Sequence, residues 1–267
     1  MSSKISLTYY DTAMILLEVD GLRILTDPVL DPAGSVFKAG PVSLEKTSPS
    51  TVSEEQLGEI DAVLLSHDQH GDNLDDGGRR LLGDVPRVIT TPKAASRLGG
   101  SAEGLKDWQE TELIGASGSV LRVTAVPAQH GPTGTNFISG PVTGFMLQTD
   151  SGARIYISGD TVLFKGTEEI ARRFAPVDLA VLHLGRVHLD PIGLIDFSLS
   201  AEKAIAFAKD LQAECIVPVH FEGWKHFSEG REAASAAFRD SSLADRTTWL
   251  KPRESIAFEL ASTTQAD

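Results

Sequence analysis

With one cysteine, Cys215, among 267 residues, this chain cannot form an internal disulfide, which agrees with a reducing compartment. The lone thiol lies in the apolar run CIVPV, where it reads as a small buried hydrophobe rather than a reactive group. Basic residues are also scarce. There are 24 Lys and Arg against 37 Asp and Glu, a net charge of -13, and such a surface repels phosphate backbones. Nucleic acid is therefore not expected as a partner. Membrane-length apolar runs are missing, and the opening MSSKISLTYY has no basic stretch followed by an apolar one. The expectation is a cytoplasmic protein with no membrane association. What is present is 41% hydrophobic residues, enough for one substantial core, without tandem repeats or low-complexity tracts. A single domain over residues 1–267 follows, and a monomer and a homo-oligomer fit equally well.

The chain begins with β-forming stretches, ISLTYY, AMILLEV and LRILTDPVL, with Asp20 and Gly21 as a tight turn between the last two. From Pro28 to about Glu54 the pattern gives way to Pro, Gly and Ser, which predicts a long loop beside the site. Further strands are expected at DAVLLS, RVITT, SVLRVTAV, GPVTGFMLQT, ARIYIS, DLAVLHLG and ECIVPVH. Helices are expected around Asp75 to Leu82, Lys93 to Leu98 and Glu229 to Phe238. Another follows Ser198 or Ser200, where Ala201, Ala204, Ile205, Ala208 and Leu211 recur at helical spacing. The tail after Leu260 is polar and expected to fray. Two β-rich halves, each carrying helices, suggest a four-layer αββα sandwich of the α/β class.

Four of the seven histidines matter most, together with two aspartates. His67, His130, Asp160 and His220 each stand just beyond an apolar strand, and His70 and Asp72 follow within the segment HDQHGDNLD. A lone histidine is more often a hydrogen-bonded core or surface group. Several imidazoles and carboxylates at strand exits instead form a donor set for zinc, manganese or iron, held rigidly enough to impose a geometry. In open α/β sheets, ligands bind beyond the carboxyl ends of the strands.

The segment from His67 to Asp75 resembles the HxHxDH signature of the metallo-β-lactamase superfamily. Similar phrases recur in LLEVDGLRILTDPVL, PAQHG, ISGDTVLF and VPVHFEGWKHF, and they resemble the lactonase-like branch that includes ascorbate-6-phosphate lactonase. The resemblance implies a metallo-β-lactamase-like sandwich and a metal-dependent hydrolase with one or two divalent ions, zinc first, manganese or iron otherwise. It further implies that His67, His70 and His130 hold one ion, that Asp72 and His220 hold a second, and that Asp160 bridges them. The motif departs here in one place. With one inserted residue, the match runs through His70, Gly71 and Asp72, and the final histidine is replaced by Asn73; read strictly, the middle histidine is replaced by Gln69. Amide carbonyls are weak zinc donors, so the second position is expected to be weaker or selective for a harder cation such as manganese. Asp68 is a candidate substitute donor, and Gln69 and Asn73 can equally serve as hydrogen-bonding neighbours of the ligands.

The chemistry implied is attack by a metal-held hydroxide on a small ester, lactone or phosphoester. With one ion, Asp72 would orient the water and pass its proton to the leaving group, a role that conflicts with full ligation of a second ion, so the metal count decides between them; His183 would contact substrate. His188 lies near the same strand exit, Lys165 and Arg186 could meet an anionic substrate, and Trp224 could wall the pocket. Tyr10 and Asp11 follow the first strand and carry no assigned role. The losses at Gln69 and Asn73 leave room for a protein that binds a metal or ligand without hydrolysing it. A third option is an oxidoreductase or lyase on the same scaffold.

Overall fold

The computed structural model describes residues 3–39, 42–135, 139–188 and 193–260. Its first sheet has seven strands in the order β15-β1-β2-β3-β6-β7-β8. The members are β1 (Ser3–Asp11), β2 (Met14–Val19), β3 (Leu22–Thr26), β6 (Ala62–Leu64), β7 (Val88–Thr90), β8 (Ala102–Gly104) and β15 (Ser255–Leu260). Strands β15, β1, β2 and β3 pair antiparallel, whereas β3, β6, β7 and β8 run parallel.

The second sheet has six strands in the order β14-β13-β12-β11-β10-β9. They are β9 (Glu110–Ile114), β10 (Val120–Pro127), β11 (Thr143–Thr149), β12 (Arg154–Ile157), β13 (Leu179–His183) and β14 (Cys215–Val219). Here β9 to β12 are antiparallel and β12 to β14 parallel, so β10, β12, β13 and β14 all point the same way.

Alternation along the strands sends one set of side chains between the sheets and the other outward. Ile5, Leu7, Leu17 and Ile24 from the first sheet meet Val123, Phe145, Ile155 and Val217 from the second in one core. Outward residues of the second sheet, Met146, Tyr156, Ala180 and Ile216, are covered by the helices α4 (Lys165–Phe174), α5 (Ala201–Asp210) and α6 (Arg231–Arg239). Those of the first sheet, Leu16, Leu25 and Val63, pack with Leu57 of α1 (Glu54–Leu57) and Leu81 of α2 (Asp76–Leu81). Helix α3 (Pro92–Leu98) flanks the same layer. The result is the helix, sheet, sheet, helix layering that the sequence predicts.

Helix α5 starts on Ser200, whose hydroxyl accepts from Lys203 N, so of the two candidate caps Ser200 is the one used. The stretch from Pro28 to Glu54 is not a bare loop: β4 (Val36–Ala39) and β5 (Val42–Glu45) pair within it as a two-stranded ribbon. The physical signal is the alternation of buried Val42 and Leu44 with exposed Ser43 and Glu45. Helix α4 and strands β8, β9 and β15 were also not expected. The expectation of fraying beyond Leu260 lies outside the described residues. Among the described residues no helix is long and apolar enough to cross a membrane.

Candidate metal centre

The parallel and antiparallel strand ends deliver the polar residues to one edge of the sandwich. His67 follows β6, His130 follows β10, Asp160 follows β12, His183 ends β13 and His220 follows β14. All six candidate metal residues are buried. Gly159, with φ of 58°, makes the turn into Asp160; a Cβ there would lie 2.5 Å from Thr143 O, so only glycine fits. His220 is held at φ of 60°, a costly conformation for a side-chain-bearing residue, and its N–H donates to Thr12 O at 2.6 Å. That backbone bond pins the end of β14 against the turn after β1.

Two groups of donors converge. In the first, His70 Nδ1 is 3.1 Å from His67 Nε2 and 3.0 Å from His130 Nε2. In the second, His220 Nε2 lies 3.3 Å from Asp72 Oδ2 and 3.4 Å from Asp160 Oδ1. Asp160 belongs to both neighbourhoods, because its Oδ2 faces His130 Nε2 at 3.7 Å and His67 Nε2 at 4.0 Å. Donor atoms within each trio all lie within 4.8 Å of one another.

The outer atoms of these rings fix which nitrogen faces inward. His130 Nδ1 donates to Phe197 O at 2.5 Å and His220 Nδ1 donates to Leu184 O at 3.2 Å. A carbonyl can only accept, so each Nδ1 carries a proton; His130, held uncharged, turns an Nε2 lone pair to the centre, and His220 does so when a cation takes the place of its Nε2 proton. Burial and the neighbouring imidazole of His70 push His130 down to about 3, and burial likewise holds His67 and His70 below the ordinary histidine range. A proton on His70 Nδ1 could serve only one of the two facing Nε2 atoms well, whereas a single cation would take a lone pair from all three rings. Nitrogens each about 2.0–2.1 Å from one zinc would stand roughly 3.3 Å apart, close to the spacing found here.

The second group has the charges a cation would balance. Burial pushes the Asp160 carboxyl up to about 7. Burial alone would also raise Asp72, but the imidazoles of His226 and His220 outweigh it and hold that carboxyl well below the usual range. Among the described residues, Asp72 Oδ1, Asp160 Oδ2 and His220 Nε2 have no hydrogen-bond partner although all are buried. Orphaned buried polar atoms of this kind cost free energy unless something else binds them. The donor set therefore fits one or two divalent ions.

Around this set stands a supporting network. Asp27, beyond the end of β3, accepts from Ser66 N at 2.7 Å and lies 3.2 Å from His183 Nε2. His183 Nδ1 lies 3.2 Å from Ser158 Oγ, so both its ring nitrogens are engaged in the wall and neither points to open space. Asn73 directs its amide nitrogen at Asp27, Ser66 and Asp160, at 3.4, 3.4 and 3.5 Å. Gln69 reaches the other way and donates to Ser139 O and Pro141 O. Asp68 is paired with Arg97, whose Nε donates at 2.8 Å, and is thus committed away from the centre as a substitute donor.

Sequence reasoning passed over three residues. Asp27 was visible only as part of the phrase LLEVDGLRILTDPVL. His226, in WKHF, places Nε2 2.8 Å from Asp72 Oδ2. Lys46, buried in the stretch expected to be a loop, lies 3.0 Å from Asp11 and 3.5 Å from Asp75, and its ammonium stands over Trp224. Trp224 is itself buried beside the site, whereas Lys165 and Arg186 line a cleft of about 740 Å3 together with Gln129, Val162, Leu194 and Lys203.

Comparison with known proteins bears on this arrangement. A family model described as the beta-lactamase superfamily domain matches residues 22–221. A metal-dependent hydrolase of Pyrococcus abyssi (strain GE5 / Orsay) is 24% identical over 214 residues, covering 78% of this chain and 87% of that protein. The solved isothiocyanate hydrolase from Delia radicum gut bacteria superposes with a TM-score of 0.79 at 24% identity, over 95% of this chain and 99% of that one. A metallo hydrolase from the hyperthermophilic archaeon Ignicoccus hospitalis gives 0.69 at 22% identity, over 96% and 99%. At these identities the two solved structures speak for the fold.

Proposed function

This chain belongs to the beta-lactamase superfamily, and we propose that it works there as a metal-dependent hydrolase on a small ester, lactone or phosphoester bearing an anionic group. The observation that carries the reading is the pair of buried donor trios sharing Asp160. His67, His70 and His130 would hold one ion, Asp72 and His220 the other, and Asp160 would touch both, with zinc preferred and manganese or iron as alternatives. A divalent cation in such a site polarises a carbonyl or phosphoryl oxygen and brings the pKa of a water it holds toward roughly 7.

The chain's own groups supply the rest. Asp72 stays anionic and its Oδ1 has no partner among the described residues, so with a single ion bound it can accept a hydrogen bond from water and orient it, whereas with two ions it serves as a ligand and the metal count decides between the roles. His183 acts from behind as a positioning residue: it braces Asp27, which in turn holds the backbone at Ser66, next to His67. The 740 Å3 cleft begins beside Gln129 and Val162, neighbours of His130 and Asp160, and three of its side chains are cationic, Lys165, Arg186 and Lys203. Asp196 neutralises part of that charge by pairing with Arg186 and Lys203, and a net positive cleft on an acidic chain favours a negatively charged substrate. The core that joins Ile5 to Leu250 supports reading residues 1–267 as one domain.

The test is a panel of esters, lactones and phosphoesters, some with a carboxylate or phosphate, offered to metal-stripped and zinc- or manganese-loaded protein. Turnover that vanishes on stripping and returns on loading supports hydrolysis. Full metal loading with no turnover on any member favours a binding protein, the reading that the amide at Asn73 leaves open.

A further inference from the structure

The two donor trios are not equally furnished. The first has three imidazoles and gains a fourth donor from Asp160 Oδ2, whereas the second counts only Asp72, His220 and Asp160 Oδ1. Four protein donors fill a tetrahedral position, and three leave room for water or for one further donor, the ion expanding to five-coordinate when it takes both. Asn73 adjoins the second trio, but its amide nitrogen is aimed at Asp27, Ser66 and Asp160, and a neutral carbonyl is a poor donor to zinc. Asp68 is held by Arg97.

We infer that His226 supplies the missing imidazole and is the fourth protein donor at the second cation position, a reading that rests on the two-ion site proposed above. Its Nε2 lies 2.8 Å from Asp72 Oδ2, the oxygen that also faces His220 Nε2 at 3.3 Å. Its side chain is only 9% exposed, so the ring is committed to the site rather than to solvent. The Phe227 ring packs at 4.7 Å from both the His220 and His226 rings, and both imidazoles reach the same Asp72 oxygen. Asp72 Oδ2 can only accept, so His226 Nε2 carries a proton in this bond; Nδ1 has no hydrogen-bond partner among the described residues, so the ring can pass to the other tautomer and turn an Nε2 lone pair inward when a cation replaces that proton. The sequence thus places histidine on the loop after β14 where the signature segment offers asparagine.

The inference is tested on the full chain by metal content per protein and by zinc titration against a chromogenic competitor, with no reliance on turnover. The parent should hold two ions. In His226→Ala the first ion should remain, and the affinity for the second should fall more than about 100-fold, beyond the loss expected from removing an outer hydrogen bond. His226→Gln should behave alike, which guards against a folding defect in the smaller variant. The double variant Asn73→His with His226→Ala should regain the second ion. If His226→Ala retains two ions within about 100-fold of the parental affinity, His226 merely hydrogen-bonds Asp72 and the inference falls while the two-ion reading stands. A parent that holds one ion or none overturns both.

Discussion

The ammonium of Lys46 lies 3.0 Å from the carboxylate of Asp11, and neither side chain reaches solvent to any useful extent. The pair ties the β4–β5 ribbon to the turn after β1, whose Thr12 carbonyl accepts from the backbone of His220. Asp75, which caps α2 and accepts from Leu30 N and Asp31 N, completes the cluster. Removing one member of a buried ion pair leaves the other uncompensated. Lys46→Met should therefore cost roughly 3–5 kcal/mol in urea unfolding. A loss below about 1 kcal/mol, the size of an exposed pair, would show the cluster to be incidental.

His130→Ala should lower bound metal and abolish hydrolysis while leaving the far-ultraviolet circular dichroism unchanged. The ring contributes one of three converging nitrogens and is braced by Phe197 O. Unchanged metal content would remove His130 from the donor set.

Asp160→Asn should have a larger effect than a change at either trio alone, because its two oxygens face different trios. The amide keeps the shape and loses the charge, so affinity for both ions should fall together in a titration. Loss of one ion alone would confine Asp160 to a single position.

Metal-free protein should lose stability in acid. An unfolded histidine takes its proton near 6.5, whereas burial and the neighbouring His70 delay protonation of folded His130 to about 3. The unfolded chain therefore binds more protons in between, and the contribution is complete above pH 6.5 and erodes as pH falls toward 3. His220 acts oppositely: despite burial, Asp160 and Asp72 raise it to about 9, so its contribution is complete below pH 6.5 and fades as pH rises through 9. A loss of about 2 kcal/mol would lower Tm by roughly 4–8 °C in a chain of this size. Asp160, raised to about 7, gains the folded state a proton in the same window and opposes this loss, so the check compares variants: a stripped His130→Gln protein whose Tm falls between pH 6.5 and 4.5 as much as the parent's would contradict the assignment for His130.

The strands were legible where burial dominates. Apolar runs such as CIVPV and LAVLH announce strands covered on both faces, and the chemistry was legible because His67, His130, Asp160 and His220 stand at their ends. The β4–β5 ribbon was obscured because its alternation is short and embedded among Pro, Gly and Ser. Helix α4 was missed although Thr167, Ile170 and Ala171 mark a buried stripe, since charged residues dominate its sequence. Lys46 and His226 carried no local signal: an isolated lysine or histidine gains its meaning only from Asp11, Asp75 or Asp72, which are distant in sequence. The environment of Asn73 was equally hidden, because Asp27 and Asp160 come from other strands.

Anomalous diffraction from crystals of zinc-loaded protein tests the central claim most directly. The account predicts two peaks, one among His67, His70 and His130 and one beside Asp72 and His220, with Asp160 between them. Peaks elsewhere, or no peak at either trio in protein that hydrolyses its substrate, would contradict it.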